Sequence, residues 1–171
     1  MRRKRFYTFI SYTRHAPEAA EIKRFIDRYL DRLRKAGYDI EAVSSVFYDQ
    51  IYMHGPLTEE GIRSQLTEAL GESSFMTAFL SPEYITAKWC VFEWETMLSI
   101  EMMRSPGNPS YPGDILAIWW KRSNYPEKFA SRAALEAVDD RGRYPSEIGC
   151  VIEQALQRCV EGTIQYLERR A

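Results

Sequence analysis

The chain has 171 residues, 45% of them hydrophobic and 27% charged, with a formal net charge of −1 and an isoelectric point near 6.2. That length suits one domain with a full core, and the near-neutral charge supplies no field that would draw the chain to nucleic acid or an anionic membrane. Three cysteines (Cys90, Cys150, Cys159) without CxxC spacing and two distant histidines (His15, His54) argue against a disulfide framework and a structural metal site, so a reducing cytoplasm is the expected compartment.

The opening "MRRKR" reads as a short solvated arm. "RFYTFISY" (Arg5 to Tyr12) is rich in aromatic and β-branched residues and reads as a strand. A helix follows, with Ile22, Phe25, Ile26, Tyr29, Leu30 and Leu33 at helical spacing, Pro17 at its first turn and Gly37 just past its end. "SVFYD" (Ser45 to Asp49) reads as a second, short strand. A loop around His54-Gly55-Pro56 leads into an amphipathic helix from about Thr58 to Leu70, with Ile62, Leu66, Ala69 and Leu70 inward.

"SFMTAFLS" (Ser74 to Ser81) is a nearly continuous apolar run, as expected of a strand covered on both faces. The spacing then predicts a long helix over Thr86 to Met103, and "SPGNPSYPG" reads as a loop because proline and glycine dominate it. "DILAIWW" (Asp114 to Trp120) reads as a further buried strand. A helix is expected over Tyr125 to Val138, with a short strand near Ala137 to Asp139. The last helix is expected over Pro145 to Arg169, with Ile148, Val151, Ile152, Ala155, Leu156 and Cys159 as its core stripe. No segment reaches the roughly 18 apolar residues of a membrane span.

Alternation of apolar strands with helices implies a parallel sheet with helices on both faces. The expected form is a flavodoxin-like α/β sandwich of about five strands, with the order taken as 2-1-3-4-5. In such sheets ligands bind beyond the carboxyl ends of the strands, where strand order reverses. That crevice lies between the first and third strands and collects Ser11 to Arg14 and Ser81 to Glu93. Trp89 and Glu93 are one turn apart on one helix face, whereas Glu95 lies roughly 200° around the helix from Glu93. The two glutamates therefore cannot act as the paired carboxylates of a general glycosidase.

One carboxylate, an indole and Arg14 across the crevice suit cleavage of the N-ribosyl bond of NAD+. Nicotinamide leaves a cationic ring as a neutral molecule, so no general acid is required. A lone carboxylate can stabilise the oxocarbenium-like ribose and hold its hydroxyls, an aromatic face can stack a base, and an arginine can pair with pyrophosphate. The residues alone leave a second reading open. Glu93 early in a helix also favours the positive end of the macrodipole, Trp89 also serves as a core anchor, and Cys90 also serves as a small buried hydrophobe. The GxGxxG and GxxxxGK[ST] fingerprints of dinucleotide-redox and P-loop proteins are missing, and "SYTR" and "SPEY" lack the acidic residues of a phospho-receiver.

Several segments together resemble a TIR domain of the bacterial kind. "FYTFISYTR" resembles the family's first box, and "VFYDQIYMHGPLTEEGIRSQLTEALGESSFMTAFLSPEY" follows its second strand, BB loop, second helix and Ser-Pro-x-Tyr strand end. "WCVFE" matches its Trp-Cys-x-x-Glu. The likeness covers roughly Phe6 to Met103. It implies that Glu93 is catalytic, that Trp89 walls the pocket, and that Ser11, Tyr12, Arg14 and Leu57 contribute to the NAD+ site. Met53, His54, Gly55 and Pro56 then belong to the BB loop, which in this family joins neighbouring copies. Leu57 stands where some enzymatic members place an aromatic, and Gly55-Pro56 stiffens the loop.

The resemblance thus implies an NAD+ glycohydrolase or ADP-ribosyl cyclase with NAD+ as substrate and no cofactor. It further implies switching by self-assembly into an oligomer or filament, a role in bacterial antiphage defence, and a fused or separate sensor, with the chain a single domain that can form part of a longer one. Two alternatives accompany it: a scaffold that signals only through TIR–TIR contacts, and transfer of ADP-ribose to a small acceptor.

Overall fold

A computed structural model describes residues 5–14, 18–44, 58–108, 111–137 and 151–170. Within it five strands form one parallel sheet: β1 (Arg5–Ser11), β2 (Asp39–Ser44), β3 (Phe75–Leu80), β4 (Ile115–Trp119) and β5 (Ala133–Glu136), in the order β2-β1-β3-β4-β5. The helices are α1 (Ala19–Lys35), α2 (Glu59–Glu72), α3 (Lys88–Arg104), the single turn α4 (Glu127–Ala130) and α5 (Val151–Arg170). This is the expected α/β sandwich with the expected strand order. Among the described residues no helix is long and apolar enough to cross a membrane.

Strand pleating divides the core in two. Ile10, Phe75, Phe79, Leu116 and Ile118 point towards α1 and α5, while Phe9, Met76, Ala78, Leu80 and Ala117 point towards α2 and α3. All six residues of β3 are buried, because it is covered on both faces. Helix α1 buries the six apolar positions read from its period, and it ends at Gly37 with φ +95°. There Tyr38 N–H donates to Leu33 O (3.1 Å) and Gly37 N–H to Arg34 O (3.0 Å), a paired closure that requires the left-handed conformation glycine adopts without a Cβ penalty. Thr58 caps α2, its Oγ1 accepting from Gly61 N–H at 3.0 Å.

Two stretches differ from the sequence expectation. The second strand is Asp39–Ser44 rather than Ser45 to Asp49, which lies outside the described residues. Buried Ile40 and half-buried Ala42 alternate there with exposed Asp39 and Glu41, the pattern of an edge strand. The helix expected over Tyr125 to Val138 is the four-residue α4, and the strand expected near Ala137 to Asp139 is β5, which ends at Glu136. "AALE" has helical propensity, but pairing with β4 takes it into the sheet, so tertiary context overrides local preference. Residues 145–150, expected to open the last helix, lie outside the described residues.

Candidate active site

Because every strand is parallel, Ser11 and Ser81 leave β1 and β3 at the same edge of the sheet, where the chain turns one way to β2 and the other way to β3. After Ser81 a 3-10 turn, Tyr84–Thr86, redirects the chain into α3. Tyr84 N–H donates to Ser81 O (3.0 Å) and Ala87 N–H to Tyr84 O (3.2 Å), which fixes the turn.

Helix α3 buries Cys90, Glu93, Trp94, Met97 and Ile100, a stripe at helical spacing. Glu93 therefore sits at a core position, 1% exposed. Burying a carboxylate costs free energy unless polar groups meet it. One that does is Ser11, whose Oγ donates to Glu93 Oε2 at 2.5 Å, and the same Oγ lies 2.7 Å from the Tyr84 hydroxyl. Tyr84 is fully buried, and burial first, then the charges at Cys90 and Glu93, push its hydroxyl well above the usual phenol range. Ser81 is also fully buried, and its Oγ has no hydrogen-bond partner among the described residues.

Ser11 and its neighbour face opposite layers, as successive strand residues must. Ser11 meets α3, whereas Tyr12 packs with the α1 layer and lines a cavity of about 300 Å³ beside Lys23, Asp27, Arg34 and Ala42. Burial raises the Tyr12 hydroxyl, opposed by the positive charges of Arg14 and Lys23. Arg14, half-buried, also acts on Cys90, opposing the rise in thiol pKa that burial and the Glu93 carboxylate produce. Cys90 is thus a buried neutral thiol rather than a nucleophile. The charge of Arg14 thus acts on Tyr12 in one layer and on Cys90 in the other.

Trp89 is half-buried at the start of α3, edge-on to Phe92 at 6.0 Å, with Arg63 of α2 and Lys88 above its ring at 6.0 and 5.3 Å. Glu95 is exposed and pairs with Lys128 at 3.0 Å, on the other side of the helix from Glu93. The structure thus joins Ser11 to Glu93 directly and sets Tyr12 in the opposite layer. Met53, His54, Gly55, Pro56 and Leu57 lie outside the described residues. Among the described residues no group of three or more His, Cys, Asp or Glu side chains could hold a metal ion. Sequence reasoning missed Tyr84, although "SPEY" placed a tyrosine between a strand end and a helix carrying a core-facing glutamate.

Residues 8–148 match the family described as TIR domain (TIR_2). No curated protein matches the chain significantly. Among solved structures the chain is similar to the TIR domains in "Structure of the activated Roq1 resistosome directly recognizing the pathogen effector XopQ". The identity there is 17%, with 91% of this chain and 84% of that chain covered and a TM-score of 0.45.

Proposed function

The chain belongs to the TIR domain family, which includes NADases, and from that premise we propose that it cleaves the nicotinamide N-ribosyl bond of NAD+. The products are nicotinamide and ADP-ribose or a cyclic ADP-ribose signal. The observation that carries this reading is Glu93, a carboxylate on the core stripe of α3 at the carboxyl edge of β1 and β3, where it is costly to the fold and suited to a ligand. Its charge stabilises the oxocarbenium-like ribose as the neutral nicotinamide departs, and its oxygens accept from the ribose hydroxyls. Arg14 pairs with the pyrophosphate, Trp89 and Tyr12 border the bases, and Leu57 closes the wall. Residues Met53 to Pro56 join a neighbouring copy, so that activity rises with self-assembly, as a defence enzyme that destroys its host's NAD+ requires.

The 1% exposure of Glu93 favours a second reading, in which the domain is a scaffold and signals through TIR–TIR contacts alone. Two assays separate them. Concentrated wild-type protein is incubated with NAD+, with and without a crowding agent, and nicotinamide and ADP-ribose species are read by mass spectrometry. Nicotinamide release that rises with crowding supports the enzyme, and none under either condition overturns it. In a cell-death assay the scaffold reading expects Gly55→Asp to abolish function while Glu93→Ala keeps it.

A further inference from the structure

The hydrogen bonds around Glu93 have a direction. An ionised carboxylate only accepts, and a serine hydroxyl carries a single proton. With Glu93 charged, that proton lies on the 2.5 Å contact from Ser11 Oγ to Glu93 Oε2, within the range of a charge-assisted O–H···O⁻ bond. Ser11 Oγ can then only accept on its other side, where the Tyr84 hydroxyl stands 2.7 Å away. Tyr84 is the donor. We propose that Tyr84 is a positioning residue for Glu93, its hydroxyl holding Ser11 so that the serine proton is directed onto Oε2. This rests on the reading of Glu93 as the working carboxylate.

The far end of this chain of bonds is rigid. The Tyr84 ring is fully buried and packs edge-on against Trp94 and Phe129, each at 6.3 Å, while its backbone is pinned in the 3-10 turn. Those ring contacts would be met equally by phenylalanine, so packing does not account for the hydroxyl. Bonds in series polarise one another, so the Tyr84 donation strengthens the bond Ser11 makes to the carboxylate. Among the described residues, the ionisable groups that act on or around Glu93 are Tyr84 on the turn and Cys90 on α3, with Arg14 acting on Cys90 and Arg63 of α2 over Phe92 on the outer side. Burial keeps Tyr84 and Cys90 neutral near neutral pH, so loss of the Tyr84 hydroxyl alters one donor and no formal charge.

Tyr84→Phe tests this by two readouts. In nicotinamide release, kcat falls about three- to tenfold with KM little changed, and the acid limb of the pH profile moves to higher pH by roughly half a unit to one unit. The direction follows because a hydrogen bond to the charged form lowers a carboxyl pKa, and weakening it raises the pKa. Independently of activity, the side-chain carboxyl resonance of Glu93, assigned by its absence in Glu93→Gln, titrates at higher pH in Tyr84→Phe than in wild type. Ser11→Ala produces a larger shift of the same sign and serves if Tyr84→Phe does not fold. An unmoved Glu93 titration overturns the proposal, even alongside a fall in rate. Wild-type protein that releases no nicotinamide while the titration still moves overturns the enzymatic reading and leaves the hydrogen-bond chain standing.

Discussion

Two buried carboxylates stand at opposite edges of the sheet, and they are satisfied differently. Asp114, fully buried just before β4, accepts from Arg104 Nη1 at 3.2 Å, from Arg170 Nη1 at 2.7 Å and from the Tyr111 hydroxyl. The same arginines reach backbone carbonyls: Arg104 those of Gly71 (2.8 Å) and Ser73 (2.9 Å), Arg170 that of Ser74 (2.7 Å). One aspartate thereby ties the ends of α2, α3 and α5 to the starts of β3 and β4. Among the described residues, the donor that meets Glu93 at the carboxyl edge is a serine hydroxyl backed by a tyrosine hydroxyl. A substrate hydroxyl can take the place of a neutral donor at small cost, whereas displacing two arginines that also brace the backbone would dismantle that edge. The amino edge is a clamp, and the carboxyl edge has groups to exchange with a ligand.

That contrast can be broken by substitution. The largest stability effect is expected from Asp114→Ala, which strips two part-buried arginines of the carboxylate that neutralises them. A loss of about 3–5 kcal/mol in urea unfolding is expected, and a loss under about 1 kcal/mol would remove the clamp from the account. Gly113→Ala comes next. Gly113 has φ +84°, and an added Cβ would approach Arg132 Nη1 at 2.5 Å and Glu101 Oε2 at 2.8 Å. The left-handed backbone alone costs an alanine about 1–2 kcal/mol. At the carboxyl edge Ser81→Ala is expected to be neutral or stabilising, within about 1 kcal/mol, because it removes a buried hydroxyl that bonds to nothing described.

The smallest effect at neutral pH sharpens the site's polarity. Burial raises the Cys90 thiol and holds Cys159 at about 12, so native protein is expected to resist iodoacetamide at both positions, read by peptide mass mapping. These raised values contribute stability that is complete below the ordinary thiol pKa of about 8.5 and is lost as pH rises above it. The melting temperature is therefore expected to fall on the alkaline side. Rapid alkylation of Cys90 at neutral pH would contradict the geometry around Glu93.

Where one physical signal dominated, the sequence was legible. The period of α1 named its six buried residues, and the unbroken apolar run of β3 marked a strand covered on both faces. Alternation of elements pointed to a parallel sheet with helices on both faces, and the order 2-1-3-4-5 taken with it is the one observed. The two edge strands were misplaced because half-buried edges carry weak patterns: "SVFYD" looks more strand-like than "DIEAVS", and "AALE" looks helical. At the site, helix spacing separated Glu93 from Glu95 correctly. It could not pair Ser11 with Glu93 and Tyr84, because those contacts span separations of 82 and 73 residues and depend on the pleat of β1. That pleat also sends Tyr12 to the other layer, which reading "SYTR" as one loop concealed.

The most direct measurement is nicotinamide release by assembled wild-type protein and by Glu93→Gln, with unfolding followed on the same samples. Glutamine keeps the shape and removes a buried charge, so the variant is expected to be as stable as wild type or more so. Its nicotinamide release is expected to fall by about a hundredfold or more, the scale of losing a transition-state electrostatic group. A folded Glu93→Gln protein that turns over NAD+ at the wild-type rate would contradict the assignment of Glu93 as the working carboxylate.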